Sequence, residues 1–427
     1  MILVKFIVRQ FQVIKSGEKS TLLRKFILLT RELFRIPLYI LAIPSIFFIR
    51  LISPWLLVRF EGLISSRIGH FAANTELYLC ERAAKINVPN KRYVDIFYMN
   101  HLPICNKQLA IMWRRVLHFW PTWLALPIDK INRLIPGGLA HRVGRNIMND
   151  QDVNNLFERF FPHLKFTDEE TLLGENSLRA MGIPKGAPYV CLTVRDSAYL
   201  SGANWAYHNY RDTDIQNYVL GVEALAERGY YVIRMGAKVH SAINTSHSMV
   251  IDYATNGMRT DFMDIYLGAN CTFAISTATG WDAIPYIFRK PIAYVNLVPL
   301  GYHLTYRKVF LAITKHYYCG DKGRNLTISE IFDYDLAYAG ESCEYDSKNI
   351  TLVENTPVEI KDLLIEMAER VAGRWSESEL DQCIQNKFWD LFPQGQKNSF
   401  GGMSPNSQMR SNRIGTKFLR DNAELLG

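Results

Sequence analysis

The chain has no CxxC pair, no HExxH, no GxxxxGK followed by Ser or Thr, and no GxSxG. Those gaps count against zinc proteases, P-loop NTPases and serine hydrolases. The cysteines Cys80, Cys105, Cys191, Cys271, Cys319, Cys343 and Cys383 are odd in number and scattered. They read as reduced, partly buried thiols of a cytosolic compartment, not as a disulfide framework. Internal repeats of solenoid length are also missing. Acidic residues are scarce at one end: Met1 to Phe60 holds ten Lys/Arg and two Asp/Glu, leaving 39 of each sign in the rest. The net charge of +8 therefore sits wholly in that segment. A globally basic surface would suggest nucleic acid. A basic, apolar N-terminus beside a charge-balanced body points instead to an inner-membrane surface rich in anionic lipid, with no nucleic-acid partner.

Within this segment Ile36 to Ile49 is apolar without interruption, followed by Arg50 and then Leu51 to Val58. Joined, the two runs approach the roughly 20 residues of a transmembrane helix, but Arg50 inside a span costs about 2.5 to 3.5 kcal/mol. Pro37, Pro44 and Pro54 are expected to break the run into short pieces. Arg31 and Arg35 before the run, and Arg59 and Arg67 after it, place both ends in the cytoplasm by the positive-inside rule. The expectation is one or two interfacial helices on the cytoplasmic face of the membrane, peripheral or monotopic. A buried helix of a soluble protein is the alternative.

With 427 residues and 48% hydrophobic content, the chain can bury more than one core. Beyond residue 60, apolar runs of strand length alternate with helical spacing. The first half reads as a strand ending near Gly62, a turn at Arg67 to His70, a helix through Leu77 and Leu79, a strand at Tyr93 to Met99, a helix at Asn106 to Phe119 and a short apolar run at Trp123 to Asp129. Ala180 to Pro188 is the best linker. After it come strands at Tyr189 to Val194, Tyr230 to Met235 and Ile251 to Ala254, with helices at Asp212 to Arg228 and Asp261 to Gly268. Helices follow at Pro357 to Trp375 and Glu377 to Phe392, then a polar loop at Gln394 to Asn412 and a short helix near Ile414 to Leu426. This pattern predicts an α/β fold with parallel strands, in two halves. The expected division is a membrane segment over 1–60, an N-terminal Rossmann-like lobe over 61–185, a C-terminal one over 186–395, and a tail over 396–427.

Residues that can carry chemistry fall at the carboxyl ends of predicted strands. In Ala269 to Asn296 a buried strand leads to Ser276-Thr277-Ala278-Thr279-Gly280, then to Trp281, Asp282 and a short helix. Such a turn presents backbone N–H groups and hydroxyls to an anion, and the helix dipole favours negative charge there. The same turn can equally serve as an N-cap with no ligand. Arg195, Asp196, Ser197 and Tyr199 leave a second strand, followed by His208, Asn209, Arg211 and Asp212. Arginine there can grip a phosphate bidentately and the aromatics can stack on a base or sugar, or Arg195 can pair structurally with an Asp. Arg234 and Gly236 end a third strand, where glycine permits close ligand approach. Together these arginines and the turn make a candidate anion site from three strand ends. His70, beside Gly69, can act as a general base because an ordinary imidazole titrates near neutrality, or can be a structural hydrogen-bonding group. Asp212-Thr213-Asp214 has the DxD form that holds a divalent metal in some enzymes, with helix capping the simpler reading.

RIGHFAANTE (67–76), VRDSAY (194–199), HNYRD (208–212), GYYVIRMG (229–236), DYA (252–254), DFMDIYL (261–267) and ISTATGWDA (275–283) together resemble a family of bacterial glycosyltransferases found with surface-polysaccharide genes. The resemblance runs from about Gly62 to the end. It implies a GT-B fold, two Rossmann-like lobes facing a cleft, with the acceptor on the first and a nucleotide-sugar donor on the second, and with no cofactor and no catalytic metal. The donor would meet the residues above and Asp261. The loop Ser65 to His70 is similar to the first-strand loop of heptosyltransferases, where a serine-rich turn ends in Gly-Asp and the Asp is the base. Here His70 stands in that place, with Glu76 in reserve. The implied activity is sugar transfer to a glycan or lipid-linked acceptor in capsule, O-antigen or lipopolysaccharide synthesis. A sugar-nucleotide epimerase of the same fold and a non-catalytic nucleotide-sugar-binding scaffold are the alternatives.

Overall fold

The computed structural model describes residues 19–100, 103–143, 152, 154–199, 206–301, 310–393 and 412–427. The chain forms two compact units that interleave in sequence. Described residues up to Leu63, 89–100 and 117–143 make the first, and 64–88, 103–116 and the described residues from 152 onward make the second. This partition corrects the expected cut at residue 185. The Ala180 to Pro188 segment is a turn inside the second unit, with Gly182 and Gly186 at positive φ, because the helix before it (Asp168–Ala180) packs on the Asp261–Asn270 helix of that same unit. At the contact a Cβ on Gly174 would fall 2.2 Å from the Tyr266 ring.

In the first unit, strands Leu57–Leu63 (β1) and Tyr93–Met99 (β2) pair in parallel along their whole length. Among the described residues this is the unit's one sheet, smaller than the Rossmann-like layer expected for 61–185. All seven residues of β1 are buried, polar ones included. Arg59 lies directly opposite Asp95 in the register, and its Nε and Nη2 each donate to the carboxylate at 2.7 Å. A bidentate pair of this geometry satisfies both charges where water is excluded. Ala42, Ile46 and Ile49 from one helix join Val58, Phe60, Ile96, Tyr98, Ala125, Leu126 and Ile128 in the unit's core.

Two expectations are corrected here. Lys19–Ile52 is one helix that runs through Pro37 and Pro44, not a set of short pieces. A proline removes one hydrogen bond and can bend a helix without ending it, and packing of Ala42, Ile46 and Ile49 holds this one together. Trp123 to Asp129 belongs to a helix, Thr122–Leu134, whose buried face includes Ala125, Ile128, Asp129 and Asn132. Short apolar runs do not distinguish a strand from a buried helix. Residues 1–18 of the expected membrane segment and most of the expected 394–412 loop lie outside the described residues.

The second unit is built on a seven-stranded parallel sheet. Its strands are Tyr189–Thr193 (β3), Tyr231–Met235 (β4), Val250–Ile251 (β5), Phe273–Ser276 (β6), Ile292–Leu297 (β7), Phe310–Thr314 (β8) and, after a small antiparallel sheet of His316–Cys319 (β9), Arg324–Asn325 (β10) and Ile350–Val353 (β11), Arg413–Ile414 (β12). The spatial order is β12-β8-β7-β6-β3-β4-β5. Numbered within the sheet, this is 3-2-1-4-5-6-7 from the other edge, the doubly wound Rossmann order. The order reverses between β3 and β6, so their carboxyl ends frame the crevice where such sheets bind ligands. β3, β6 and β7 are buried at every position, as strands covered on both faces must be.

Candidate functional site

The turn after β6 is built to hold its shape. The Ser276 hydroxyl donates to Asp282 Oδ2 at 2.8 Å and accepts from the Thr279 N–H at 3.3 Å. Thr277 Oγ1 accepts from the Arg195 N–H at 2.8 Å, and Thr279 Oγ1 lies 3.3 Å from Thr193 Oγ1, so two hydroxyls tie the turn to the end of β3. Ala278 sits at φ 57°, a left-handed conformation costly to a residue with a Cβ, and its carbonyl accepts from Arg211. Ser276, Thr277 and Asp282 are thus buried structural residues, close to the ligand-free reading of this turn. Thr279 and Gly280 remain open to solvent at its tip.

Arg195 and Arg211 meet around this tip. Arg195 Nε is 3.2 Å from Asp212 Oδ1 yet poorly aligned, and neither atom has a hydrogen bond; Arg211 Nε is likewise buried without one. Burial first, and then the like charge of Arg211, lowers the Arg195 pKa from its ordinary value. His208 is pushed down to about 4 by burial and by the positive charges of Arg211, Arg195 and Arg67. Burial raises the Asp212 pKa against the pull of Arg195 and Lys315. With the two unbonded Nε atoms these directions describe a cluster of positive charge that an anion of high charge density would satisfy.

The helix Ile68–Ala83 adds its N-terminus. It has no side-chain cap, and a Cβ on Gly69 would lie 3.2 Å from Gly280 Cα and O, so the first turn abuts the tip of the β6 turn. His70 follows in that turn, half-buried, with Nδ1 lacking a hydrogen bond. Arg67, His70, Arg195, His208, Arg211, Thr279 and Gly280 therefore converge. Lys315, which sequence reasoning did not select, supports the group from below: its buried Nζ donates to the carbonyls of Tyr210 (3.2 Å) and Asp212 (2.7 Å). Nothing marked it in sequence, because it is a lone lysine between two strands.

Other candidates sit elsewhere. Arg234 is 1% exposed, pairs with Asp252 at 3.2 Å and donates to the Ser241 carbonyl at 3.0 Å, so it holds the β4 and β5 ends together. Gly236 is partly exposed, and a Cβ there would fall 2.6 Å from Val239 and 3.1 Å from Ala254, so its lack of a side chain is explained by packing. Asp261 opens the Asp261–Asn270 helix and accepts from the Lys107 N–H, while its carbonyl accepts from Asn106. Asp196 accepts from the N–H groups of Ala198 and His240, and Ser197 contacts His240 at 3.1 Å. Tyr199 and Asn209 are exposed. Asp214 caps the Ile215–Tyr218 turn through Gln216 and Asp212 faces Arg195, so the DxD carboxylates serve separate partners.

Glu76 is fully buried. Its Oε1 accepts from Arg289 Nη2 at 2.6 Å and lies 3.1 Å from His163 Nδ1. With Cys80 these side chains offer three ligand atoms within 4.8 Å of one another. Arg289 Nη2 already stands 3.4 Å from Cys80 Sγ, and burial, followed by the Glu76 carboxylate, pushes the thiol well above its usual range. A guanidinium in that place and a thiol held protonated do not fit a metal ion. Glu76 is thus a buried partner of Arg289 rather than a carboxylate displayed at the β6 turn.

No family profile and no curated protein matches this chain. Among solved structures it is similar to ADP-heptose lipopolysaccharide heptosyltransferase II of E. coli, at 13% identity and TM-score 0.34, over 56% of this chain and 84% of that one. It is similar to the family 9 glycosyl transferase of Veillonella parvula at 8% identity and TM-score 0.34, over 56% and 80%. It is also similar to TibC of enterotoxigenic E. coli, a dodecameric iron-containing heptosyltransferase in complex with ADP-D-β-D-heptose, at 12% identity and TM-score 0.35, over 74% and 77%. All three bear the names of glycosyltransferases.

Proposed function

We propose that this chain is a glycosyltransferase of the GT-B type that takes a nucleotide-sugar donor and passes its sugar to a glycan or lipid-linked acceptor of a bacterial surface polysaccharide. One observation carries the reading: under-bonded Arg195 and Arg211 flank the β6 turn at the reversal point of a Rossmann-ordered sheet. Backbone N–H groups at Gly69, His70 and Gly280, with Arg67, Arg195 and Arg211, would bind the donor diphosphate. As the bond from the sugar's anomeric carbon to the diphosphate oxygen breaks, negative charge grows on the leaving group, and fixed positive groups there lower the barrier. His70 would take the proton of the acceptor hydroxyl as the new glycosidic bond forms. The reaction in this form uses no metal.

A thermal-shift panel of nucleoside diphosphates and nucleotide sugars tests this, beginning with ADP-heptose, the donor named for one of the similar structures. A ligand at about 100 times its Kd adds roughly 2.7 kcal/mol. A shift from one nucleotide that survives EDTA and weakens at least about tenfold in Arg195→Ala and Arg211→Ala is expected. No shift from any nucleotide would sink the donor site. Donor binding without transfer to lipid extracts would leave the scaffold reading in its place.

A further inference from the structure

The first unit carries an apolar face that its own core does not use. Along Arg35–Ile52, Ala42, Ile46 and Ile49 point into the core. On the opposite side Ile40, Leu41, Phe47, Phe48 and Leu51 are 61–70% exposed. The helix of a soluble unit places charged and polar residues on that side. Here the exposed side is apolar for several turns, and the 18-residue window has a mean hydropathy of 1.8. Trp55 and Trp123 are also exposed in the same unit, at 73% and 62%.

Arg50, the one charge within this stretch after Arg35, is turned away from that face. Its Nε donates to Asn132 Oδ1 at 2.8 Å, Nη1 to the Pro136 carbonyl at 2.6 Å, and Nη2 to the carbonyls of Asn132 and Ile135. The guanidinium thereby caps the carboxyl end of the Thr122–Leu134 helix, where the helix dipole favours a cation. Its charge is satisfied within the unit.

Charge at the rim names the occupant. From residue 35 onward the described part of this unit holds three carboxylates, Glu61, Asp95 and Asp129, and all are buried. Lys91, Arg92 and Lys130 are exposed, with Lys91 Nζ donating to the Ser53 carbonyl and Lys130 Nζ beside Tyr39 at 3.2 Å, both against the helix. Two copies pairing through this face would bring like charges together. An anionic lipid surface meets the rim with opposite charge and the face with hydrocarbon.

We propose that the first unit docks on a bilayer containing anionic lipid, with the Ile40, Leu41, Phe47, Phe48 and Leu51 face sunk into one leaflet and the helix lying in the interface. The helix does not cross. Its other face is part of a core shared with β1, β2 and the Thr122–Leu134 helix, and on the far face of the two strands the unit buries the Arg59–Asp95 ion pair, which a surrounding hydrocarbon would not accommodate. This docking is independent of the catalytic reading.

The test is vesicle flotation of the full chain with phosphatidylcholine alone and with added phosphatidylglycerol. Binding to the anionic vesicles, weakened by salt, is expected. Phe47→Glu with Phe48→Glu removes two exposed aromatics from the leaflet and should weaken it by about a hundredfold, with the melting temperature and nucleotide-induced shift unchanged. Quenching of Trp55 by brominated lipids, taken as the difference from Trp55→Phe, should be strongest for bromines near the headgroups. Absence of vesicle binding, equal binding by the double variant, or protease access to the helix from both sides of the vesicle would each overturn the proposal. So would a dimer in solution that the double variant dissociates while vesicles capture neither form.

Discussion

Glu76 and Arg289, 213 residues apart in sequence, meet in a buried pair at 2.6 Å. The contact fastens the Ile68–Ala83 helix to the residues just after the Ala283–Ile287 helix, two turns from the helix N-terminus. Removing one partner leaves an uncompensated buried charge, a loss of about 3 to 5 kcal/mol. Glu76→Ala and Arg289→Ala should therefore each lower the melting temperature, while diphosphate affinity measured well below the melt stays within a few-fold of the parent. A stable Glu76→Ala protein that binds donor but does not turn over would make Glu76 a catalytic group instead.

The approach of Gly69 to Gly280 is asymmetric. A methyl on Gly69 would press on Gly280 backbone at 3.2 Å, whereas one on Gly280 would meet Gly69 N at 3.5 Å, an ordinary contact. Overpacking against backbone costs about 1 kcal/mol or more. Gly69→Ala should weaken nucleotide-diphosphate binding several-fold and Gly280→Ala much less, by calorimetric titration. Equal effects would mean that the two backbones do not touch in the bound form.

Glu61, buried in β1 with Arg142 at 3.4 Å, is pushed up to about 7, chiefly by burial. Its folded pKa lies above its unfolded one, so the folded state holds the extra proton between about pH 4.5 and 7. Its contribution is fully present below that window and is lost as pH rises through it, by up to roughly 3 kcal/mol. Glu61→Gln should flatten the dependence and raise the melting temperature at pH 8 above that of the parent. A pH profile identical in the two proteins would show that Glu61 ionises as freely in the fold as out of it.

His208 shifts the other way. Its pKa is depressed to about 4, so protonation between about pH 6.5 and 4 favours the unfolded chain, and stability falls as pH drops through that window. A bound diphosphate would offset the arginine charges that hold the imidazole neutral. In an NMR titration the His208 midpoint should lie well below that of an ordinary histidine and rise when ADP is added. A midpoint indifferent to every nucleoside diphosphate would place the anion away from Arg195 and Arg211.

Part of this was legible in the chain. Phe273 to Leu297 reads correctly as strand, turn, short helix and strand because each segment declares itself by local pattern: an apolar run, a hydroxyl cluster ending in glycine, then Pro291 before the next apolar run. Arg195 and Arg234 looked alike in sequence, each at the end of an apolar strand. Only their non-local neighbours separate them: Arg234 is closed off by Asp252 and the Ser241 carbonyl, while Arg195 meets Arg211 and the β6 turn. The same is true of the N-terminal helix, whose prolines suggested breaks that packing of Ala42, Ile46 and Ile49 bridges.

The sequence by itself determined the α/β alternation, the basic apolar N-terminus and the residue types available at the strand ends, because periodicity, charge and turn chemistry act over a few neighbouring residues. Tertiary structure decided which of those residues face one another. Strand order 3-2-1-4-5-6-7 comes from pairings such as Val190 with Phe273, separated along the described chain by two α-helices and two other strands, and no local pattern encodes them. That order brings Arg195 and the β6 turn to one crevice and leaves Arg234 outside it. It also took the folded unit to turn Arg50 onto the Thr122–Leu134 helix, leaving an uncharged outer face where the linear sequence showed an interrupted span.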